Sequence, residues 1–165
     1  MSERILVAGV GNVFRADDGF GCEVARKLLR EGPPSGVRVK DFGVRGLHLA
    51  YELLEPIDRL IVVDAVARGA EPGTLYVIEP DLAAAEEAPP DAHGMHLGAV
   101  FAQVAALGGV PPPTWIVGCE PLELEDRLGL SLPVQRAVDA AAAWVRELVA
   151  RERRAAVEQS MEVSR

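Results

Sequence analysis

Cysteine is scarce: Cys22 and Cys119 are the only two in 165 residues. Two thiols cannot build a disulfide framework or a four-cysteine zinc site, so they read as free buried thiols. Basic residues are also short, 17 against 25 acidic, which leaves a formal net charge of −8. An acidic surface repels phosphate backbones and argues against a nucleic-acid partner. It leaves open a basic or neutral protein partner, or a cationic metal. No apolar run approaches the roughly 20 residues that cross a bilayer, so no membrane partner is expected. Met1 to Arg4 lead straight into Ile5-Leu6-Val7-Ala8, without the basic, apolar and cleavage regions of a signal peptide; a cytoplasmic location is expected. There is no Gly-x-Ser-x-Gly elbow and serines are few, which disfavours a Ser-His-Asp hydrolase. His-Glu-x-x-His and Cys-x-x-Cys are missing as well, so no local metal motif is present.

What is present is an ordinary globular composition, 49% hydrophobic and 25% charged, which excludes disorder for the bulk of the chain. Folding a chain of this length buries about 70% of its unfolded surface, enough for one domain with its own core. Ile5-Leu6-Val7-Ala8 reads as a buried strand ending in the glycine turn Gly9-Val10-Gly11-Asn12. Apolar Phe20, Val24, Leu28 and Leu29 lie opposite Arg26, Lys27 and Arg30, an amphipathic helix over 19–30. Val37 to Phe42 alternates as a strand, and Leu47 to Leu54 reads as a helix ended by Pro56. Arg59 to Ala65 holds four consecutive apolar residues bounded by charge, the pattern of a central strand covered on both faces. Gly73 to Ile78 and Thr114 to Cys119 read as further strands, 81–91 as a surface loop, and His96 to Leu107 as a helix. Pro133 to Arg154 is a long helix with proline at its first turn. The expected organisation is a single domain over 1–154 and a flexible tail over 155–165. Strands alternating with helices give an α/β domain with a mostly parallel sheet.

In such a sheet ligands bind beyond the carboxyl ends of the strands. Three polar segments leave the sheet there: Gly9 to Gly21, the end of the central strand at Asp64, and Gly118-Cys119-Glu120-Pro121. Gly9-Val10-Gly11 could open a dinucleotide fingerprint, with Asp41 as a late ribose acid. Phe14 stands where the third glycine would allow close helix–strand packing, however. Asp17-Asp18 sits where a helix begins. One carboxylate suffices as a cap, and the second could face the crevice. Asp64 ends a buried strand and needs a hydrogen-bond partner or a cation. His93 and His96 stand at a loop–helix junction, whereas His48 lies on an exposed helix. Two carboxylates and one imidazole suit borderline divalent ions such as nickel or zinc and leave coordination positions open.

The ordered set of segments resembles the nickel-iron hydrogenase maturation proteases. It comprises Gly9-Val10-Gly11-Asn12, Asp17-Asp18-Gly19-Phe20-Gly21, Gly43-Val44-Arg45-Gly46-Leu47, Leu60 to Ala65 with Pro72-Gly73-Thr74, Asp91-Ala92-His93-Gly94-Met95, and Gly118-Cys119-Glu120-Pro121. It covers roughly residues 4 to 150 in order. The resemblance implies a three-layer α/β/α sandwich around a twisted, mostly parallel sheet of about five strands. It implies an endopeptidase that removes the C-terminal extension of a hydrogenase large-subunit precursor after nickel insertion. Asp18, Asp64 and His93 are then the metal-binding and catalytic set, His93 being favoured over His96 by its Asp-x-His-Gly-Met context. Asp17 is left in support, as a cap. The nickel is expected to arrive with the substrate, and other divalent metals could occupy the site. A non-enzymatic nickel-binding assembly module using the same residues is the rival reading, with a dinucleotide-binding domain behind it.

Overall fold

The computed structural model describes residues 4–80 and 97–164. In chain order the elements are β1 (Ile5–Val10), a 3-10 turn (Ala16–Gly19), α1 (Phe20–Glu31), β2 (Val37–Gly43), α2 (Gly46–Glu52), β3 (Arg59–Ala65), β4 (Leu75–Ile78), α3 (Leu97–Ala106), β5 (Thr114–Cys119) and α4 (Leu132–Val163). The strands form one sheet in the order β2-β1-β3-β5-β4. Neighbours pair parallel except β4, which runs antiparallel to β5 at the edge. The fold is thus the expected α/β sandwich with five strands.

Two cores explain the layers. On one face Ile5, Val7, Ile61, Val63 and Val117 pack against Phe20, Val24 and Leu28 of α1 and Val138, Ala141 and Val145 of α4. On the other, Leu6, Ala8, Leu60 and Val62 meet Leu49 of α2 and Val100, Phe101 and Val104 of α3. Alternate residues of β1 and β3 feed opposite cores, which is why both strands read as continuous apolar runs.

The close approach of α1 to the sheet depends on glycine. A Cβ on Gly21 would lie 1.9 Å from the Val63 carbonyl oxygen and 2.5 Å from that of Val10. The tight helix–strand packing that Phe14 was expected to block is therefore present, supplied by Gly21 seven residues later, while Phe14 faces solvent.

The helix expected to end at Arg154 continues to Val163, through the segment expected to be a tail. Beyond Arg154 its residues are exposed, Ala156 excepted. Its stem is fixed to the sheet by Glu152, which pairs with Arg59 at 3.1 Å and accepts the Trp115 indole N–H at 2.9 Å. The predicted loop over 81–91, together with His93 and His96, lies outside the described residues. Among the described residues no helix is long and apolar enough to cross a membrane.

Candidate active site

The site forms where β1 and β3 leave the sheet. Parallel pairing aligns Gly9 with Val63, so the chain beyond β1 starts level with the end of β3. Gly11 has φ +130°, and a Cβ there would lie 1.9 Å from the Asp18 carbonyl oxygen and 3.5 Å from Asp64 Oδ1. The missing side chain lets the turn carrying Asp18 close over the strand end carrying Asp64. The 3-10 turn packs against β3 accordingly.

Backbone donors orient both carboxylates. Asn12 N–H donates to Asp18 Oδ2 at 2.9 Å, and Ala65 N–H donates to Asp64 Oδ1 at 2.8 Å. Asn12 also shapes the turn, its Oδ1 accepting from Phe14 N–H at 2.9 Å and its carbonyl from Arg15 N–H at 3.1 Å. Asp18 and Asp64 are each half-buried. Of the three sequence-predicted site residues the structure thus brings Asp18 and Asp64 to one place; His93 is outside the described residues. Among the described residues no group of three or more His, Cys, Asp or Glu side chains could hold a metal ion.

Asp17 is not a helix cap. The residue preceding α1 is Gly19, without a side-chain capping bond. Asp17 is instead wholly buried, at 0% exposure. Its carboxylate accepts the N–H groups of Leu122, Glu123 and Ser131, at 2.8, 2.9 and 2.7 Å, and the Ser131 hydroxyl at 2.8 Å. It therefore fastens the turn carrying Asp18 to the loop between β5 and α4. The preceding Ala16 has φ +48°, a left-handed conformation that costs a non-glycine residue about 1–2 kcal/mol. It is held there by its N–H bond to the Arg127 carbonyl at 2.8 Å.

Glu120 was part of a strand exit and no more in the sequence. In the structure it is buried and accepts the N–H groups of Arg68 and Gly69, at 2.7 and 3.0 Å, and the Tyr76 hydroxyl at 2.8 Å. The Arg68 N–H is the largest influence on its carboxyl and holds it below the usual range, against the opposing push of burial. Glu120 organises the loop after β3 rather than joining Asp18 and Asp64. No local sequence pattern marks this role; the Glu120 backbone is tied to the same region, its carbonyl accepting the Gly73 N–H and its N–H donating to the Thr74 carbonyl, both at 2.8 Å.

Nucleophilic side chains are poorly placed for covalent chemistry. Burial, then the Asp17 and Glu120 charges, push the Cys119 thiol up to about 12. Burial and the neighbouring Asp41 raise Cys22 as well, and its thiol donates to the Gly11 carbonyl at 3.6 Å. Both stay protonated near neutral pH and neither is an attacking thiolate. Ser131 is buried and spends its hydroxyl on Asp17. Among the described residues this leaves Asp18, in the 3-10 turn, and Asp64, at the end of β3, as the side chains to consider at this end of the sheet.

The hydrogenase maturation protease family model matches residues 22–147. The hydrogenase expression/formation protein HupD of Bradyrhizobium diazoefficiens is 37% identical over 138 residues, 81% of this chain and 70% of that protein. HupD of Rhodobacter capsulatus is 39% identical over 151 residues, 88% and 71% of the two chains. Among solved structures, the hydrogenase maturating endopeptidase HybD from E. coli superposes with a TM-score of 0.78 at 27% identity, covering 90% of this chain and 93% of that one. A hydrogenase 2 maturation peptidase from a Thaumarchaeota archaeon gives 0.70 at 29% identity, covering 90% and 99%. The chain belongs to the hydrogenase maturation protease family.

Proposed function

We propose that this protein is the endopeptidase that removes the C-terminal extension of a nickel-iron hydrogenase large-subunit precursor once nickel is in place. The observation that carries the reading is the approach of the Asp18 backbone and the Asp64 carboxylate to Gly11, beyond the carboxyl ends of β1 and β3, in a chain of this family. The nickel belongs to the precursor and is part of the substrate. The donor set fits it: two carboxylates, each already oriented by a backbone N–H, with His93 as the nitrogen donor, suit a borderline divalent ion. Bound between precursor and enzyme, the ion would polarise the scissile carbonyl or acidify a water. The chain's own work is to present Asp18, from the 3-10 turn, beside Asp64 at the end of β3, so that a loaded precursor is gripped more tightly than an empty one. A carboxylate of the pair is also a candidate base toward an attacking water.

The test is incubation of the purified chain with precursor prepared with and without nickel, followed by mass spectrometry of the large subunit. Loss of the C-terminal extension from the loaded form alone is expected. Equal cutting of both forms would remove nickel from the mechanism, and binding without cutting would favour the assembly-module reading. His93→Ala is expected to damage cleavage more than His96→Ala; the reverse ranking would reassign the histidine.

A further inference from the structure

Residues 121–131 join β5 to α4, and of their leucines only Leu130 packs against the core. Leu122, Leu124 and Leu128 are exposed, as is Leu132 at the start of α4, and Phe14 on the facing segment is 67% exposed. A loop held by its own leucines would turn them inward. This one is held by polar bonds: Arg127 N–H to the Phe14 carbonyl at 3.0 Å, Asp17 N–H to the Glu123 carbonyl at 3.0 Å, an Arg15 guanidinium N–H to the Leu124 carbonyl at 2.8 Å, and the buried Asp17 carboxylate. Polar anchoring fixes the backbone and leaves the apolar side chains facing solvent, an arrangement that marks an interaction surface.

We infer that these five side chains form the docking surface for the folded body of the precursor whose extension is cut. The inference rests on the protease reading above. Two observations select this occupant. Phe14 lies four residues before Asp18, a span of at most about 14 Å even when extended, so the body of a protein with its scissile bond at Asp18 is within reach of Phe14. The rim carries Glu123, Glu125 and Asp126 against Arg15 and Arg127, and with Glu123 paired to Arg127 at 2.9 Å and Arg15 bonded to the Leu124 carbonyl, Glu125 and Asp126 leave it acidic. A second copy of this chain would bring that acidic rim against itself, whereas a partner with an apolar patch flanked by neutral or basic groups would complement it. The surface thus separates two tasks: Asp18 and Asp64 address the cleavage point, and the leucine loop addresses the folded partner.

The experiment uses the full chain and nickel-loaded precursor. The double variant Phe14→Ser/Leu128→Ser is expected to raise KM about tenfold with kcat changed by less than about twofold, the signature of lost binding that is uniform along the reaction. Leu132→Ser is an independent second variant with the same expected direction, and melting curves establish that each is folded. Val157→Ser, on the exposed far end of α4, should change neither constant. Adding the double substitution to Asp64→Asn should weaken capture of uncut precursor by a similar factor. Unchanged KM in both folded variants overturns the inference while leaving the protease reading intact. A dimer that the variants convert to monomer at unchanged KM also overturns it, assigning the surface to self-association. A wild-type chain that cuts no precursor overturns the protease reading itself and removes this occupant with it.

Discussion

Asp17 and Asp18 are neighbours with opposite surroundings, and the difference predicts opposite phenotypes. Asp18 is half-buried at the crevice, whereas Asp17 is sealed inside with four hydrogen bonds. Loss of a helix cap would cost about 0.5–2 kcal/mol. Truncating a buried acceptor strands its donors, at about 1–3 kcal/mol for each unsatisfied group. Asp17→Ala leaves three backbone N–H groups without their acceptor. A loss of about 3 kcal/mol or more is expected, lowering the melting temperature by roughly 6–12 °C in a domain of this size. A shift of only a degree or two by calorimetry would return Asp17 to the capping role. Asp64→Asn is the contrasting case. Asparagine keeps an oxygen for the Ala65 N–H and removes the charge. Cleavage should vanish while the melting temperature stays nearly unchanged; wild-type-like processing would refute the role of Asp64.

At the scale of elements, what was legible in the sequence is what local pattern encodes. Arg59–Ala65 is the same strand in both readings, because four apolar residues flanked by charge admit little else. Strand order also put Asp64 at the carboxyl end of β3 and Asp17-Asp18 in the segment after β1, as observed; the choice of Asp18 over Asp17 for the site came from the family resemblance and not from local pattern. What escaped depends on distant partners. Asp17 contacts residues 105 to 114 positions away, and no local signal separates that clasp from a cap. Glu120 likewise gathers donors 44 to 52 positions away. The extent of α4 escaped because a polar, weakly periodic end carries no stop signal of its own. Gly21 was read as part of a motif, and its physical task appeared only with the packing. Gly21→Ala would force a methyl group into the Val63 and Val10 carbonyls, and such overpacking costs about 1–3 kcal/mol. Because α1 follows directly from the turn bearing Asp18, the shift should also separate that turn from Asp64. Thermal stability and cleavage are expected to fall together; full activity in the alanine variant would show that the close approach is not what positions the pair.

For the whole molecule, two buried carboxylates hold the loops at one end of the sheet: Asp17 ties the first turn to the loop before α4, and Glu120 ties the loop after β3 to the end of β5. These loops are thus held by buried polar bonds rather than by apolar packing alone, and at Glu120 acid should loosen them. For Glu120 the sign is clear. Its folded carboxyl titrates below the usual value of 4.5, so its contribution is present above that value and is lost as pH falls through the folded one. The same bond has an alkaline limit: Tyr76 is raised above 10.0, by burial first and then by its bond to Glu120, so its share persists below 10.0 and is lost as pH rises through the higher folded value. Glu120→Gln isolates the acid limb. Its amide can face the Gly69 N–H or the Arg68 N–H and Tyr76 hydroxyl, but in either orientation an N–H₂ group meets a donor. The variant should melt below wild type at pH 7. As pH falls from 4.5 through the lower folded value the gap should shrink, because the folded wild-type Glu120 then takes up a proton and loses the same acceptor. Melting curves from pH 7 to pH 3 measure it directly, and a gap that stays constant across that range would mean that the charge of Glu120 does not hold the loop.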